Sequence, residues 1–348
     1  MKRTGLAILA VALGALGACG SDNKGAASTT PAMEETPIET PAVEAPAGET
    51  PAEVPVAEPA KPAPPPAPTY LHGKWVWFEL TTSDVDAAKA FYGELLGWKV
   101  EARDMNGMTM NAIKNGDKEI GLIQALPADA KKNKMSPLWM GYISVPDVDA
   151  AVTAATGAGA KVTMPAMDMA PVGRFATLTD PSGAMFGVVK TLESDEADHV
   201  PAIGEFVWME HQGKDAKKVA EAAAFYAKVA GYEIGSMKAG KVDYTLGKAA
   251  GVDRMGFAKA AKSAWAGKFA PYVMVADVDA TVKLATKLKA KVVAKASDMP
   301  NVGRIAMLAD PQGALFAVMT PAPMGVEGGV EAGGEKAAGD KPAAPAPK

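Results

Sequence analysis

The chain has 348 residues, a formal net charge of −4, three histidines and one cysteine. A small acidic balance, with no basic stretch interleaved with aromatics, argues against nucleic-acid binding. A single cysteine excludes an intrachain disulfide and a thiolate metal cluster. The first element is a short basic segment, Met1-Lys2-Arg3, followed by an apolar run from Leu6 to Leu16 that is too short to span a bilayer. Next, from Gly20 to about residue 70, come mostly Pro, Ala, Glu and Thr. Such a stretch buries too little apolar surface to offset the entropy of ordering, so it reads as a tether, and the Gly- and Ala-rich tail over 321–348 reads the same way. At about 3.1 Å per residue, the proline-rich tether has a contour on the order of 100 Å.

The apolar run ends in Leu16-Gly17-Ala18-Cys19, which resembles the bacterial lipobox. The resemblance implies a signal peptide over 1–19, cleavage before Cys19, and acylation of that residue on its sulfur and its amine. Several acyl chains, at about 0.8 kcal/mol per buried CH₂, make a permanent anchor in the lipid bilayer. Gly20 and Ser21 after the cysteine resemble outer-membrane sorting. The expected location is therefore the bacterial cell envelope, at the outer membrane, with the folded part facing the periplasm or the cell surface. The competing reading is an ordinary signal peptide with an incidental cysteine.

The remaining stretch repeats itself. DVDAAVTAATGAGAKVTMPAMDMAPVGRFATLTDPSGAMFGVV, from Asp147, returns from Asp277 as DVDATVKLATKLKAKVVAKASDMPNVGRIAMLADPQGALFAVM. Two modules follow, over 71–192 and 204–320, joined by an acidic linker over 193–203. WVWFEL alternates as a strand, with Trp75, Trp77 and Glu79 expected on one face and Val76, Phe78 and Leu80 on the other. Asp84 is a candidate N-cap for a helix ending at Gly97. Strands near 99–104, 108–114 and 119–124 follow, with hairpin turns at Asn106-Gly107 and Asn115-Gly116. The second half repeats this order: a strand over 139–145, a helix capped by Asp147, then strands near 161–164, 174–179 and 184–190. Asp180-Pro181-Ser182-Gly183 supplies a turn before the last. Each half is βαβββ, so the fold class is α+β with four such units.

Tandem βαβββ units carrying FYxxLLGW, DVDAA and VGRFA…DPxGAxF resemble the vicinal oxygen chelate superfamily of glyoxalases, bleomycin-resistance proteins and extradiol dioxygenases, over about 73–320. The resemblance implies a curved mixed sheet around a cleft in each module, with helices outside. It also implies one divalent metal held by His and Glu side chains and acting as a Lewis acid. Carried over residue by residue, the usual ligand positions fall on Trp77, Met140 and Gly187, and on Trp208, Ala270 and Ala317. None of these binds a hard or borderline divalent ion, so no metal and no cofactor is expected. Of the histidines, His72 lies in the tether and His199 in the linker. His211 faces away from Trp208 and Glu210 by strand parity and reads as a strand-end polar residue.

The candidate catalytic groups are Glu79 and Glu210, carboxylates flanked by aromatic surface and therefore open to a raised pKa. The structural alternative gives each an ion pair or hydrogen bonds to a turn, with Arg174 and Arg304 as natural partners. Met164, Met167, Met169 and Met185 belong to the loop and strand rimming the first cleft. Their thioethers suit varied apolar ligands, although plain core is the simpler account. The expected ligand-binding set is Trp77, Glu79, Met140, Arg174, Met185, Trp208, Glu210 and Arg304. Three functions remain open: metal-free binding of a small apolar or aromatic molecule, superfamily-type catalysis through Glu79 or Glu210, and an envelope interaction scaffold. The two modules are candidates to pair within the chain.

Overall fold

The computed structural model describes residues 69–322, apart from 106, 107, 131, 133, 134, 240 and 241. The expected signal peptide, Cys19 and nearly all of the tether lie outside the described residues, as do the Asn106-Gly107 turn and the tail beyond Ala322.

The first module runs β1 (Trp75–Thr82), α1 (Val85–Leu96), β2 (Lys99–Met105), β3 (Met108–Asn115), β4 (Lys118–Ala125), β5 (Leu138–Ser144), α2 (Val148–Gly157), β6 (Lys161–Met169), β7 (Gly173–Thr179) and β8 (Met185–Thr191). The second repeats it as β9 (Phe206–Gly213), α3 (Ala216–Ala230), β10 (Glu233–Ala239), β11 (Val242–Ala249), β12 (Val252–Lys259), β13 (Lys268–Met274), α4 (Val278–Lys287), β14 (Lys291–Met299), β15 (Gly303–Ala309) and β16 (Leu315–Pro321). Each set of eight strands forms one sheet, ordered β2-β3-β4-β1-β5-β8-β7-β6 and correspondingly in the second module. The four βαβββ units are thus present as read. β1 and β5 lie at the centre, antiparallel to each other, each with a parallel neighbour on its other side.

The helices capped by Asp84, Asp147 and Asp277 start as the sequence reads, and Asp215 caps α3 in the same way: each accepts a hydrogen bond from the backbone N–H three residues on, satisfying one of the free donors of the first turn. Gly97 and Gly231 close α1 and α3 in the left-handed conformation. No helix among the described residues is long and apolar enough to cross a membrane.

The helical faces of both modules share one hydrophobic core. Each module lends a helix to the other. Phe91 and Tyr92 of α1 pack edge-on against Phe316 of β16, and Phe225 and Tyr226 of α3 do the same against Phe186 of β8. The Trp98 indole donates to the Gly204 carbonyl at 2.8 Å, and Tyr232 to the Gly73 carbonyl at 2.6 Å. The linker is tied to both sides. Asp195 accepts from Ser144 and from the Leu71 backbone, and Asp198 pairs with Lys74 of the first module and Arg254 of the second.

Three local expectations need correction. A register shift between Trp75 and Trp77 breaks the alternation of β1. Trp75 therefore joins Phe78 and Leu80 in the helix-side core, while Trp77 faces the cleft. Met167-Asp168-Met169 is not loop but the end of β6, paired with β7 through Met167–Phe175 and Asp168–Arg174. The β3–β4 turn is Gly116-Asp117, because Asn115 is still paired, to Lys118.

Candidate functional site

The concave face of the first sheet carries its own apolar cluster, with Trp77, Met110, Leu122, Met140, Tyr142 and Phe175 buried in it. Glu79 sits among these side chains and is 1% exposed. Its Oε2 accepts from Gln124 at 3.0 Å and from the Tyr142 hydroxyl at a long 3.4 Å. Oε1 is buried with no hydrogen-bond partner, as is the indole nitrogen of Trp77, which lies close enough to ease the charge without closing a bond. Burial dominates these donors and lifts the Glu79 pKa from 4.5 to about 8. At neutral pH the first cleft therefore holds a proton-bearing carboxyl.

Glu210 occupies the same place in the second module and is better held. Tyr244 donates to Oε2 at 2.5 Å and Gln212 to Oε1, while Tyr272 adds a further hydrogen bond. Burial again outweighs the donors, and the pKa is raised. The amide donor comes from β4 in one module and β9 in the other, so the duplication has kept the arrangement while changing its source. Tyr244 fits because residue 256 is glycine: a Cβ there would fall 1.7 Å from the Tyr244 hydroxyl. The Trp208 indole donates to that hydroxyl at 3.1 Å.

The two clefts differ in openness. Trp77, Met164, Phe175 and Val189 are buried, whereas their counterparts Trp208, Ala294, Ile305 and Met319 are only half-buried. Smaller side chains explain the difference, with Ala270 for Met140, Ala294 for Met164 and Ile305 for Phe175. Trp265, on the short turn of 3₁₀ helix over Ser263–Trp265, is also half-buried against this second cluster, with the Lys268 amine 5.8 Å from its ring centre.

The family description Glyoxalase/Bleomycin resistance protein/Dioxygenase superfamily matches residues 74–188, and the description Glyoxalase-like domain matches 213–319. CFP32 of Mycobacterium tuberculosis, named provisionally as a glyoxylase, is 35% identical over 258 residues, covering 73% of this chain and 97% of that one. The chain belongs to the glyoxalase/bleomycin resistance protein/dioxygenase superfamily. The anthracycline biosynthesis protein DauV of Streptomyces sp. (strain C5) is 30% identical over 268 residues, with 72% of this chain and 94% of the relative covered. Among solved structures, the Mn(II)-bound glyoxalase from Novosphingobium aromaticivorans has 16% identity and a TM-score of 0.46, covering 73% of this chain and 90% of that one.

The positions onto which the sequence resemblance carries metal ligands are packed as follows. Trp77 and Met140 are packed into the first cluster. The Tyr142 ring lies on Gly187, where a Cβ would stand 2.1 Å from a ring carbon. We expect Gly187→Ala to cost about 1–3 kcal/mol through overpacking, read as a lowered urea midpoint. In the second module the same place holds Ala317 beside Tyr272. Among the described residues no group of three or more His, Cys, Asp or Glu side chains converges as a metal-holding set.

The arginines do not reach the cleft glutamates. Arg174 grips Asp149 in α2 through Nε and Nη2, at 2.7 and 2.8 Å, and Asp168 through Nη1 at 2.9 Å. Arg304 repeats this with Asp279 and Asp298. Both forks tie a helix N-terminus to a strand pair on the outer surface. Met185 is half-buried in the first cluster. His72 stacks on Tyr70 and His199 bonds Glu205 at 2.8 Å. His211 does face away from Glu210, but it lies within β9 rather than at its end. It is fully buried between the modules, with Nε2 3.0 Å from both Asp180 and Ser182. That contact, the tyrosines 142, 244 and 272, and Trp265 were not read from the sequence.

Proposed function

We propose that this superfamily member binds a flat apolar or aromatic small molecule without a divalent metal, and that the second cleft is its site. The half-buried Trp208 and Trp265 over a floor of small side chains carry this reading. Such a surface offers aromatic faces at low entropic cost, and the buried Glu210 beneath it, with its Tyr244, Tyr272 and Gln212 donors, suits a carbonyl or hydroxyl substituent. The names of DauV and of DnrV from Streptomyces peucetius assign them to anthracycline biosynthesis, and anthracyclines are flat fused-ring quinones. A divalent metal does not fit here. The donor positions hold carbon or thioether side chains, which leaves one carboxyl per cleft, and tyrosine and glutamine donors already point at it even though Glu79 Oε1 is unpartnered.

The Cys19 lipobox supports anchoring to the outer membrane by acyl chains, with the tether carrying the folded part away from the bilayer. A second reading, acid–base catalysis at Glu79 or Glu210, is favoured by the raised pKa of both.

The binding reading is tested by titrating the purified full chain with anthraquinone-2-sulfonate and following tryptophan fluorescence. Saturable quenching is expected. Trp208→Ala should weaken binding at least tenfold, about 1.4 kcal/mol. Ala270→Met, which rebuilds the floor of the closed first cleft, should abolish it. Quenching that never saturates, or that Ala270→Met leaves intact, would remove the second cleft as the site.

A further inference from the structure

A cationic side chain of the second cleft has no part in the aromatic-binding reading. Trp208, Glu210 and Gln212 of β9 lie opposite Tyr272, Ala270 and Lys268 of β13, residue for residue. Alternate residues along a strand share a face, and so do residues directly opposite in an antiparallel pair. The six therefore form one patch on the concave side, with Phe269 between them turned to the helix-side core. Lys268 belongs to that patch. The first module has Leu138 at this place, opposite Thr81 and packed against the closed first cluster. Of the two clefts, only the open one carries an amine here.

Lys268 is half-buried, and its ammonium meets little that offsets the burial. Nζ donates to the Ser136 hydroxyl at 3.1 Å, from the segment between β4 and β5 of the first module. The Trp265 ring centre is 5.8 Å away, near the outer limit of a useful cation–π contact. Among the described residues no carboxylate forms an ion pair with the amine, and burial alone pulls its pKa below 10.5. A solvated rim lysine would keep its ordinary pKa. An ammonium half out of water, with only one of its three donors taken by Ser136, gains from an entering anion.

We propose that the second cleft selects a flat aromatic anion, with Lys268 recognising its carboxylate, sulfonate or ionised phenol group. This rests on the aromatic-binding reading of that cleft and adds the ligand's charge to it. In that reading the ring lies over Ala270, where the floor carries only a methyl group. Lys268 is two residues further along β13, about 7 Å away, within reach of a substituent on an outer ring of a fused-ring system. Glu210 stands directly opposite Ala270, so carboxyl and amine address different parts of the ligand.

The test extends the fluorescence titration of the full chain to a matched pair of probes. One is anthraquinone-2-sulfonate, and the other is anthraquinone-2-sulfonamide, which has nearly the same shape and no charge at pH 7. The parent chain should bind the sulfonate about tenfold more tightly or better. Added salt should weaken the sulfonate more than the sulfonamide. Lys268→Met keeps an apolar stem of similar length and should bring the two probes to equal affinity by weakening the sulfonate. Lys268→Arg keeps the charge and should keep the preference. Equal affinities in the parent chain, or a preference that survives in Lys268→Met, would overturn the role of Lys268 and leave the cleft reading standing. If the parent chain binds neither probe saturably, that reading fails and this proposal falls with it.

Discussion

Replacing Glu79 by Gln should leave stability almost unchanged near pH 4 and make the protein more stable than the parent chain above pH 8. Glu79 is buried, and its pKa rises from 4.5 to about 8 because burial disfavours the anion more than Gln124 and Tyr142 favour it. In the unfolded chain the proton leaves near 4.5; in the folded protein it stays until about 8. Between these values the native state binds more protons, so the free energy of unfolding falls as pH rises. The full stability present below pH 4.5 is lost progressively and is gone above 8. A shift of this size corresponds to up to about 5 kcal/mol. A neutral amide of the same shape removes the titration and with it the loss. Urea unfolding from pH 4 to 9 checks this: the parent midpoint should fall with pH while the Glu79→Gln midpoint stays level by comparison. Parallel curves for the two proteins would mean that Glu79 ionises normally. Glu210→Gln should show the same sign with a smaller effect, since Glu210 has Tyr244, Tyr272 and Gln212 against two donors for Glu79.

The fold was legible because its signals are local. Helix caps at Asp84, Asp147 and Asp277, period-two strands and a long internal repeat each depend on residues close together in the chain. The cleft was legible only in part. Glu79 and Trp77 share the concave face as alternation predicts, but a bulge carries Trp75 to the other side, and alternation contains no term for a bulge. The role of Tyr142 escaped because its task, covering Gly187 and touching Glu79, joins three strands far apart in sequence. The arginine partners were findable. Asp149 and Arg174 are separated by the same 25 positions as Asp279 and Arg304, and Asp168 and Asp298 repeat too. Charge complementarity alone favours Glu79 as the partner, but Arg174 stands beside Asp168 on the opposite strand face. Contacts between the modules were the least legible. The Asp180 turn was read correctly, but its partners His211 and Tyr226 come from a strand and a helix of the other module.

Those partners set the second large expected effect: Asp180→Ala should destabilise the protein by about 3–5 kcal/mol, more than any surface ion pair would. Asp180 is 5% exposed and performs two tasks with its two oxygens. Oδ1 accepts from the backbone of Ser182 and Ala184 and from the Ser182 hydroxyl, which shapes the turn. Oδ2 meets His211 at 3.0 Å and Tyr226 at 3.2 Å, which joins the modules. Burial pushes its pKa up, but these hydrogen bonds outweigh burial and hold the carboxyl below the usual 3.8. The stability it confers is therefore present above pH 3.8 and lost as pH falls through the lower folded value. Truncation leaves the Tyr226 hydroxyl buried without its acceptor and His211 with only the Ser182 hydroxyl at Nε2, while His211 Nδ1 already lacks a partner. Asp310 is the counterpart, accepting from Tyr92 at 3.1 Å, with the Trp139 indole donating to that tyrosine at 2.9 Å. It has no imidazole neighbour, because Leu80 stands where the second module has His211, and its pKa is raised by burial. Asp310→Ala should accordingly cost less than Asp180→Ala, with the gap between them closing below pH 3.8. Urea titrations of both variants at pH 7 and pH 3 measure this difference. Equal losses at both pH values would assign Asp180 to its turn alone and leave the shared apolar core to hold the modules together.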